Sequence, residues 1–407
     1  MNSSYIKSKD SLDKRPVFIL GLFDTGVYTA RMLKKENFVV LGFDNSIKKS
    51  GFNSNSLKAF LSPPVTEDLK LTEFLIKIKK EKFSHIKPAL IPSSDEYVSF
   101  LSQNRNKLSE YFEFLIPEKS LLDNILNKEN QLTLVKSIGI NIPETFEIKN
   151  DDDLKNVLNN IRYPVIIKPG DTGEWKKHFN TKALKAESEQ ELTKLVNEAL
   201  GYGLKVILQE IIPGDCTNNF EVSTYVSKDG DICGLFTINK IRQYPMDFGY
   251  GCLVETCSNK KVEELTLKFL KDLNWRGFAN LEFKFDNRTG EYYFIEVNPR
   301  VWQQIELPFE AGKINYPEIY VSDLEDKLIN TSYKFSNGIK WIDIFSDMLS
   351  SVSLIKKGKL NVKDYFTSFK NAKKFGLTSI SDPFPIIKDM NYGLKLLLAP
   401  IKLLKGN

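Results

Sequence analysis

Histidine and cysteine are scarce in this chain of 407 residues, which has two histidines and four cysteines. The cysteines are Cys216, Cys233, Cys252 and Cys257, and none forms a Cys-x-x-Cys pair. Zinc sites need closely spaced cysteines and histidines, so this distribution argues against one. The same scarcity argues against a Ser–His or Cys–His nucleophile. We expect free thiols, which are typical of a reducing cytoplasm.

Long apolar segments are also missing. No run of about 18 apolar residues occurs, and the polar N-terminus lacks the apolar core of a signal peptide or membrane anchor. A composition of 42% hydrophobic and 27% charged residues is typical of soluble globular proteins. The net charge of +5 is spread along the chain without a dense basic tract, so we do not expect nucleic-acid binding. We expect a cytoplasmic protein that handles small molecules.

Strand and helix patterns alternate over residues 16–117. Four apolar segments read as strands: PVFILGLFD, FVVLGFD, PALIPSSD and FEFLIP. This alternation predicts a parallel sheet with helices on both faces, whose ligands gather at the carboxyl ends of the strands. Gly21, Asp24, Gly26, Asp44 and residues 93–95 lie at those ends.

The segment GLFDTG supplies Gly21 and Gly26 but lacks the middle glycine of a dinucleotide fingerprint. We therefore interpret its glycines as part of a tight strand-to-helix turn. Binding of part of a second substrate is the alternative.

Residues 118–145 have helical periodicity, and a region of mixed strands and helices follows from residue 163. Antiparallel strands mixed with helices are typical of an α+β arrangement. Beyond residue 331, GIKWIDIFSDMLSSV and VKDYFTSFKNAKKFG are predicted to be helices. The apolar, lysine-containing tail after residue 390 is expected to dock on the protein itself. Contact with a membrane surface or a partner is the alternative.

The segments GFANLEFKFD and FIEVNPR carry the most informative pattern. Their alternation places Glu282, Glu296 and Asn298 on neighbouring strands of a hairpin, with Arg300 just beyond. Two carboxylates and an amide oxygen suit Mg²⁺, which binds through a few carboxylates together with substrate phosphates. A nearby arginine suits the negative charge that develops in phosphoryl transfer. An exposed hairpin with solvated acids is the alternative.

Between about residues 121 and 312, the chain resembles an ATP-grasp protein of the carboxylate–amine ligase group. The resemblance implies an ATP-grasp fold, α/β and α+β, with an N-terminal Rossmann-like domain before the grasp domain. It implies that Glu282, Glu296 and Asn298 bind Mg²⁺ or Mn²⁺. The expected domains are 1–120 (Rossmann-like), 121–330 (ATP-grasp, with the nucleotide and metal site) and 331–407 (helical extension).

The resemblance also implies which cations face the phosphates of ATP. Lys128 in NKENQ and Lys168 in YPVIIKP match the two nucleotide lysines of the family. Arg300 matches an arginine that contacts the transferred phosphate or the acyl-phosphate. Lys240 and Arg242 resemble a basic pair that faces the reacting phosphate, and strand alternation puts both on one face. A pair of surface charges is the alternative for these two residues.

For the nucleoside, Glu210 in LQEIIPG matches the acid that faces the adenine amino group, and Ile212 would bind the adenine edge through its backbone. Asp215 or Glu221 would accept the ribose hydroxyls. Asp215 is equally explained as a turn residue after Pro213.

One segment departs from the family pattern. Family members often have a glycine-rich loop over the phosphates after the second lysine. Here GDTGEWKKHFNTK contains only Gly170 and Gly173, with the bulky Trp175 and His178. We expect this segment to be a mobile lid that closes over the phosphates through backbone N–H groups near residues 171–173. Contact of Trp175 with the acceptor substrate is the alternative.

The implied function is ATP-dependent ligation of a carboxylate to an amine through an acyl-phosphate. Bacterial D-aspartate ligases of peptidoglycan precursors are one similar group, which shares a YPV-x-x-KP-like strand, an IPGD turn and a GFAN strand. The implied partners are small-molecule substrates: an amino acid as donor and an amine on a cell-wall precursor, sugar or peptide as acceptor. A homodimer is an open alternative to a monomer. Other ATP-grasp chemistry (carboxylation or a kinase reaction) and a non-catalytic nucleotide-binding protein are the rival functions.

Overall fold

A computed structural model describes residues 14–169, 172–179, 181, 183–246 and 249–386. The first part of the chain forms a parallel four-stranded sheet, as the alternation predicted. Its spatial order is β3-β2-β1-β4, with strands β1 (Val17–Leu20), β2 (Val40–Asp44), β3 (Lys58–Leu61) and β4 (Ala89–Pro92). Both β1 and β2 are fully buried, which is what continuous apolar runs require in a sheet covered on two faces.

Two details of this sheet differ from the prediction. The edge strand β3 was not predicted, because its residues are half-exposed and form no apolar run. The predicted strand FEFLIP contributes only one bridge, between Glu113 and Ala89. The surrounding helices are α1 (Asp24–Lys35), α2 (Asp68–Lys82), α3 (Asp95–Gln103) and α4 (Arg105–Ser109).

Two helices then lead to a second, antiparallel sheet of order β5-β8-β6-β7. The helices are α5 (Lys119–Leu126) and α6 (Lys128–Ser137). The strands are β5 (Thr145–Ile148), β6 (Val165–Pro169), β7 (Leu184–Ala186) and β8 (Val206–Glu210). Helices α7 (Asp151–Leu158), α8 (Thr172–His178) and α9 (Glu189–Gly201) connect them. The Ser188 side chain caps α9 by accepting a hydrogen bond from the Glu191 backbone N–H.

The third sheet has seven strands in the order β13-β12-β9-β10-β11-β14-β15. Its first five strands in sequence are β9 (Asn219–Val226), β10 (Phe236–Tyr244), β11 (Tyr250–Thr256), β12 (Gly277–Asp286) and β13 (Glu291–Asn298). Helix α10 (Lys260–Asp272) precedes β12, and α11 (Leu307–Gly312) and α12 (Tyr316–Leu324) follow β13. The hairpin of β12 and β13 forms as predicted, with Glu282 directly opposite Glu296.

The C-terminal part contributes strands as well as helices. Strand β14 (Lys340–Ile342) pairs with β11, and β15 (Ala372–Lys374) pairs with β14. Helix α13 (Ile344–Lys356) begins later than predicted because the buried Trp341 and Ile342 join the sheet. Helix α14 (Val362–Thr367) is shorter than predicted, and β15 lies within the rest of its predicted range. The tail after residue 390 lies outside the described residues. Within the described part, no helix has the length and apolarity needed to cross a membrane.

A buried ion pair fastens the end of the described chain to the first sheet's layer. Asp382 is fully buried and accepts hydrogen bonds from Arg31 Nε at 3.0 Å and Ser54 Oγ at 2.7 Å. The backbone N–H of Asn55 donates to the same carboxylate at 2.8 Å. Arg31 also donates to the carbonyl oxygen of Gly376. The C-terminal segment is therefore held against α1 through a carboxylate whose partners lie more than 300 residues earlier.

This contact predicts a large loss of stability for Asp382→Ala. The substitution removes the carboxylate that accepts from Arg31 Nε and leaves this buried arginine, among the described residues, only the carboxylate of Glu306, at 3.8 Å. Breaking such a buried pair costs about 3–5 kcal/mol of unfolding free energy. Urea unfolding followed by circular dichroism measures the loss. The matched control is Asp123→Ala, which breaks an exposed pair with Lys119 and is expected to cost less than about 1 kcal/mol. Equal losses in the two variants would contradict the anchoring role of Asp382.

Candidate active site

A cavity of about 980 Å³ is lined by residues of both antiparallel sheets and of the C-terminal part. Many predicted site residues line it: Lys168, Glu210, Ile212, Asp215, Lys240, Arg242, Glu282 and Glu296. The remaining predicted residues join these through hydrogen bonds or ion pairs: Lys128, Glu221, Asn298 and Arg300. The structure therefore places the predicted residues in the lining of one cavity or in contact with residues that line it.

Three carboxylates stand in a row across adjacent strands. Glu282 on β12 is in register with Glu221 on β9 and with Glu296 on β13. The ammonium of Lys240, on β10, lies 2.7 Å from Glu282 Oε2 and 3.4 Å from Glu221 Oε1. Burial raises the pKa of Glu282 to about 7; Lys240 opposes that rise, while the neighbouring Glu221 and Glu296 add to it. Glu221, Glu282 and Glu296 form an acid row, and its negative charge exceeds what one lysine neutralises.

The end of the hairpin connects the row to the first sheet. Lys128 Nζ lies 2.7 Å from Glu296 Oε2. Burial raises the pKa of Glu296, but Lys128, Asn298 and Lys240 together lower it by more, so the net shift is downward. Arg300 donates to Oδ1 of Asn298 at 3.1 Å and to Asp95 at 2.9 Å. Because Asp95 begins α3 at the carboxyl end of β4, Arg300 lies between the hairpin and the first sheet.

The donor atoms of this row fit a hard divalent cation completed by further oxygen ligands. Glu282 and Glu296 are directly opposite each other, and carboxylate oxygens are preferred by Mg²⁺. No group of three or more His, Cys, Asp or Glu side chains within the described residues is close enough to hold a metal by itself. A magnesium ion here would therefore take further oxygen ligands from water or from a bound substrate. Asn298 points Nδ2 toward Glu296 at 3.3 Å, so acting as a ligand requires its amide to turn over.

Lys168 projects its ammonium into the cavity at the end of β6. Its Nζ donates to the neutral amide oxygen of Gln209 at 2.6 Å. Burial lowers the pKa of Lys168, with Glu296 opposing and Lys128 reinforcing that shift. A half-buried ammonium whose contact is a neutral oxygen attracts an anion strongly, because little of its charge is compensated. The sequence did not indicate Gln209 as its partner.

The adenine-binding prediction is only partly matched by the side chains. Ile212 is buried and lines the cavity, and its backbone N–H has no hydrogen-bond partner among the described residues. The Glu210 carboxylate instead accepts a hydrogen bond from Arg288 Nη2 at 2.6 Å. Arg288 also binds the fully buried Asp286 and thereby lowers the pKa of that carboxyl group. Glu210 is therefore oriented by Arg288, a residue that looks like an ordinary turn position in the sequence.

The two candidates for the ribose lie in different surroundings. Asp215 lines the cavity and accepts hydrogen bonds from the backbone N–H and the hydroxyl of Thr217, at 2.8 and 2.6 Å. Those contacts make it the cap of a short 3₁₀ turn, as the alternative interpretation predicted. Glu221 is buried beside Lys240 and does not line the cavity.

Lys240 and Arg242 are not surface charges, because each is only 4% exposed. Both line the cavity, although the register of β10 against β11 is irregular between them. Their partners differ: Lys240 meets the acid row, whereas Arg242 forms a two-point ion pair with Asp347 on α13, at 2.6 and 3.0 Å. Nothing in the sequence pattern singled out Asp347.

Trp175 does not line the cavity, so its position does not support the alternative in which it contacts the acceptor. It lies in α8, is fully buried, and stacks on Phe179 with ring centroids 4.2 Å apart. Its indole N–H donates to the Thr181 carbonyl oxygen at 2.7 Å. The apolar core of the second sheet accounts for this placement, because an indole gains more from burial there than from exposure in a lid. Residues 170 and 171 of the predicted loop lie outside the described part.

Comparisons with known proteins agree with this arrangement. Residues 128–300 match the family model of the D-Ala-D-Ala ligase C-terminus. A D-aspartate ligase from Enterococcus faecium is 26% identical over 250 residues, covering 58% of this chain and 59% of the relative. The chain thus aligns with little more than half of that relative's length.

Solved structures share the fold over most of the chain. An N5-carboxyaminoimidazole ribonucleotide synthetase in complex with ADP has a TM-score of 0.63 at 13% identity, covering 86% of this chain and 87% of that one. The L-amino acid ligase from Bacillus licheniformis has a TM-score of 0.57 at 16% identity, covering 77% and 75%. The predicted fold is confirmed: a parallel Rossmann-like sheet precedes antiparallel sheets. The resemblance found in the sequence is confirmed: this is an ATP-grasp superfamily protein, distantly related to D-aspartate ligase.

Proposed function

We propose that this protein joins a carboxylate to an amine, using ATP and passing through an acyl-phosphate. The acid row beside Lys240 carries this proposal, because it combines paired carboxylates for a cation with buried positive charge at one cavity wall. Such a combination serves phosphoryl transfer, in which the protein mainly positions the reactants and offsets charge.

The nucleotide lies between the two antiparallel sheets in this proposal. The unpartnered N–H of Ile212 supports an adenine edge at that position, and Glu210, held by Arg288, faces the adenine amino group. Asp215 is the better ribose ligand, because it lines the cavity while Glu221 is engaged by Lys240. The phosphates then extend toward the lysines at the far end of the cavity.

The phosphate end is formed by Lys168, Lys128 and the hairpin acids. Lys168 binds phosphate oxygens with a charge that its neutral contact, Gln209, does not compensate. Glu282, Glu296 and a turned-over Asn298 would hold magnesium, whose charge would offset that of the phosphates. Lys128 pairs with Glu296 at the same end of the site, so its ammonium adds positive charge where the phosphates would lie.

The reaction has two steps. A carboxylate oxygen of the donor attacks the γ-phosphorus, the bond to the β,γ-bridging oxygen breaks, and ADP leaves. The amine nitrogen of the acceptor then attacks the acyl carbon, phosphate leaves with its electron pair, and the nitrogen loses a proton. Lys240, Arg242 and Arg300 offset negative charge in both steps, and the enclosed cavity limits hydrolysis of the acyl-phosphate.

The donor is proposed to be an amino acid, joined to an amine on a cell-wall precursor, sugar or peptide. Two relatives support this class by their names: a D-aspartate ligase and an L-amino acid ligase. The carboxylating synthetases that share the fold represent the competing chemistry, in which bicarbonate takes the place of the donor.

Release of ADP and phosphate from MgATP tests the function. The assay uses pooled L- and D-amino acids, each with and without amine acceptors that include cell-wall precursors. We expect release that requires both a carboxylate and an amine, and a product whose mass is the sum of the two minus water. Release with bicarbonate alone, or transfer of phosphate without any amide product, would contradict the ligase proposal.

Lys168→Gln is expected to weaken ADP binding about tenfold or more. A charge-assisted hydrogen bond is worth roughly 1.5–3 kcal/mol, and glutamine removes the charge while keeping a polar side chain that is one atom shorter. Calorimetric titration of ADP and of adenosine measures the effect, and adenosine binding is expected to remain unchanged. The matched control, Lys205→Gln, removes an exposed lysine just before β8 and is expected to bind ADP normally. Normal ADP binding by Lys168→Gln would remove it from the phosphate site.

Glu296→Gln is expected to abolish turnover and the magnesium dependence of nucleotide binding. It removes one charge from the cation site at nearly constant volume, so the fold remains intact. Initial rates and calorimetry with and without Mg²⁺ report the two effects. Glu291→Gln, an exposed position on the same strand, serves as the control and should behave as the natural chain. A rate close to normal for Glu296→Gln would refute the metal assignment.

Arg300→Lys is expected to reduce kcat much more than nucleotide affinity. A lysine keeps the charge but cannot span Asn298 and Asp95 with one planar group. Steady-state kinetics combined with equilibrium binding of ADP separates the two quantities. If rate and affinity fall together, Arg300 contributes only to ATP binding.

A further inference from the structure

The C-terminal part of the chain forms one wall of the cavity. Ser350 and Leu354 of α13 line it, and so do Lys359 and Leu360 just beyond that helix. These residues follow residue 300, where the match to the family model ends. The segment is fixed in the fold, because β14 pairs with β11 and β15 pairs with β14. Because its strands pair with the large sheet, the C-terminal part can hold a side chain in a defined position.

Arg242 is the side chain that this wall holds. Its Nε donates to Asp347 Oδ1 at 2.6 Å, and its Nη2 donates to Asp347 Oδ2 at 3.0 Å. Nη2 also donates to Ser368 Oγ at 2.8 Å, and the Tyr365 ring centroid lies 5.4 Å from the guanidinium carbon. All three partners belong to the C-terminal part, whereas Arg242 belongs to β10.

These contacts leave one edge of the guanidinium for a ligand. Among the described residues, Nη1 has no hydrogen-bond partner, while Nε and Nη2 are both engaged by Asp347. Arg242 is nevertheless a lining residue of the cavity. A planar group fixed along one edge presents its other edge in a defined direction, which is the condition for recognising phosphate oxygens.

We propose that Asp347 is a positioning residue, which holds Arg242 so that Nη1 meets the phosphoryl group being transferred. This rests on the proposed function, because it assumes that the phosphoryl group reaches the Arg242 end of the cavity. Asp347 itself touches no substrate. The C-terminal part is then a component of the active site, although it lies outside the region that matches the family model.

The test compares binding of MgADP with binding of MgADP plus aluminium fluoride, which mimics the transferred phosphoryl group. The ratio of the two affinities isolates contacts to that group and does not require the substrates to be known. Asp347→Asn is expected to weaken the aluminium fluoride complex about tenfold or more and to leave MgADP binding within about threefold. In an Arg242→Gln background, adding Asp347→Asn should have no further effect on the ratio, because the two residues act as one unit.

Two further variants separate positioning from general destabilisation. Asp323→Asn neutralises another buried carboxylate, which accepts hydrogen bonds from Tyr225 and the Lys228 backbone outside the cavity lining, and it should leave the ratio unchanged. Ser368→Ala removes one of the three hydrogen bonds to Arg242 and should lower the ratio about two- to fivefold, even if Asp347→Asn fails to fold.

An unchanged ratio in folded Asp347→Asn, or in Ser368→Ala when Asp347→Asn does not fold, would overturn the positioning role. So would a further loss when Asp347→Asn is added to Arg242→Gln. Failure of the underlying function would look different. In that case aluminium fluoride would not tighten MgADP binding even in the natural protein.

Discussion

The ammonium of Lys240 is the contact on which the candidate site depends. It is buried on β10 and reaches Glu282 and Glu221, which lie on the two strands beyond. Without it, three carboxylates in one row of the sheet would be forced together in a poorly solvated place. The pair of Lys240 and Glu282 thus permits the accumulation of acids, and the charge left on Glu296 is shared with Lys128 at the rim. In this site, lysines pair with carboxylates inside the protein. Such an arrangement suits a site where a bound cation would pair with the carboxylates and a polyphosphate would pair with the lysines.

The three layers of the fold each supply one side of that site. The small antiparallel sheet contributes Lys168 and the apolar edge at Ile212, and the large sheet contributes the acid row. The first sheet is connected through Asp95 and Arg300. The C-terminal part closes the remaining side and is anchored twice, by its pairing with β11 and by Asp382 on Arg31. Segments that are distant in the sequence therefore form or support the same cavity.

The sequence predicted those features that depend on local pattern. Alternation in β12 and β13 placed Glu282 opposite Glu296, because strand periodicity and a short turn determine the register. Asp347 could not be predicted, since its partner Arg242 lies 105 residues earlier and only tertiary packing brings the two together. The burial of Trp175 was not predicted, because its neighbours in sequence are polar while its neighbours in space form an apolar core. Strands β3 and β14 are short, and their patterns resemble those of loops and helices.

A crystal structure with Mg²⁺ and a non-hydrolysable ATP analogue would test the central claim most directly. The account predicts adenine at the backbone of Ile212, phosphates at Lys168, and a magnesium ion with oxygen ligands from Glu282 and Glu296. It also predicts that Nη1 of Arg242 faces the γ-phosphate while Asp347 keeps both of its hydrogen bonds. A nucleotide bound instead at the carboxyl edge of the first sheet, near Gly21 and Gly26, would contradict the account.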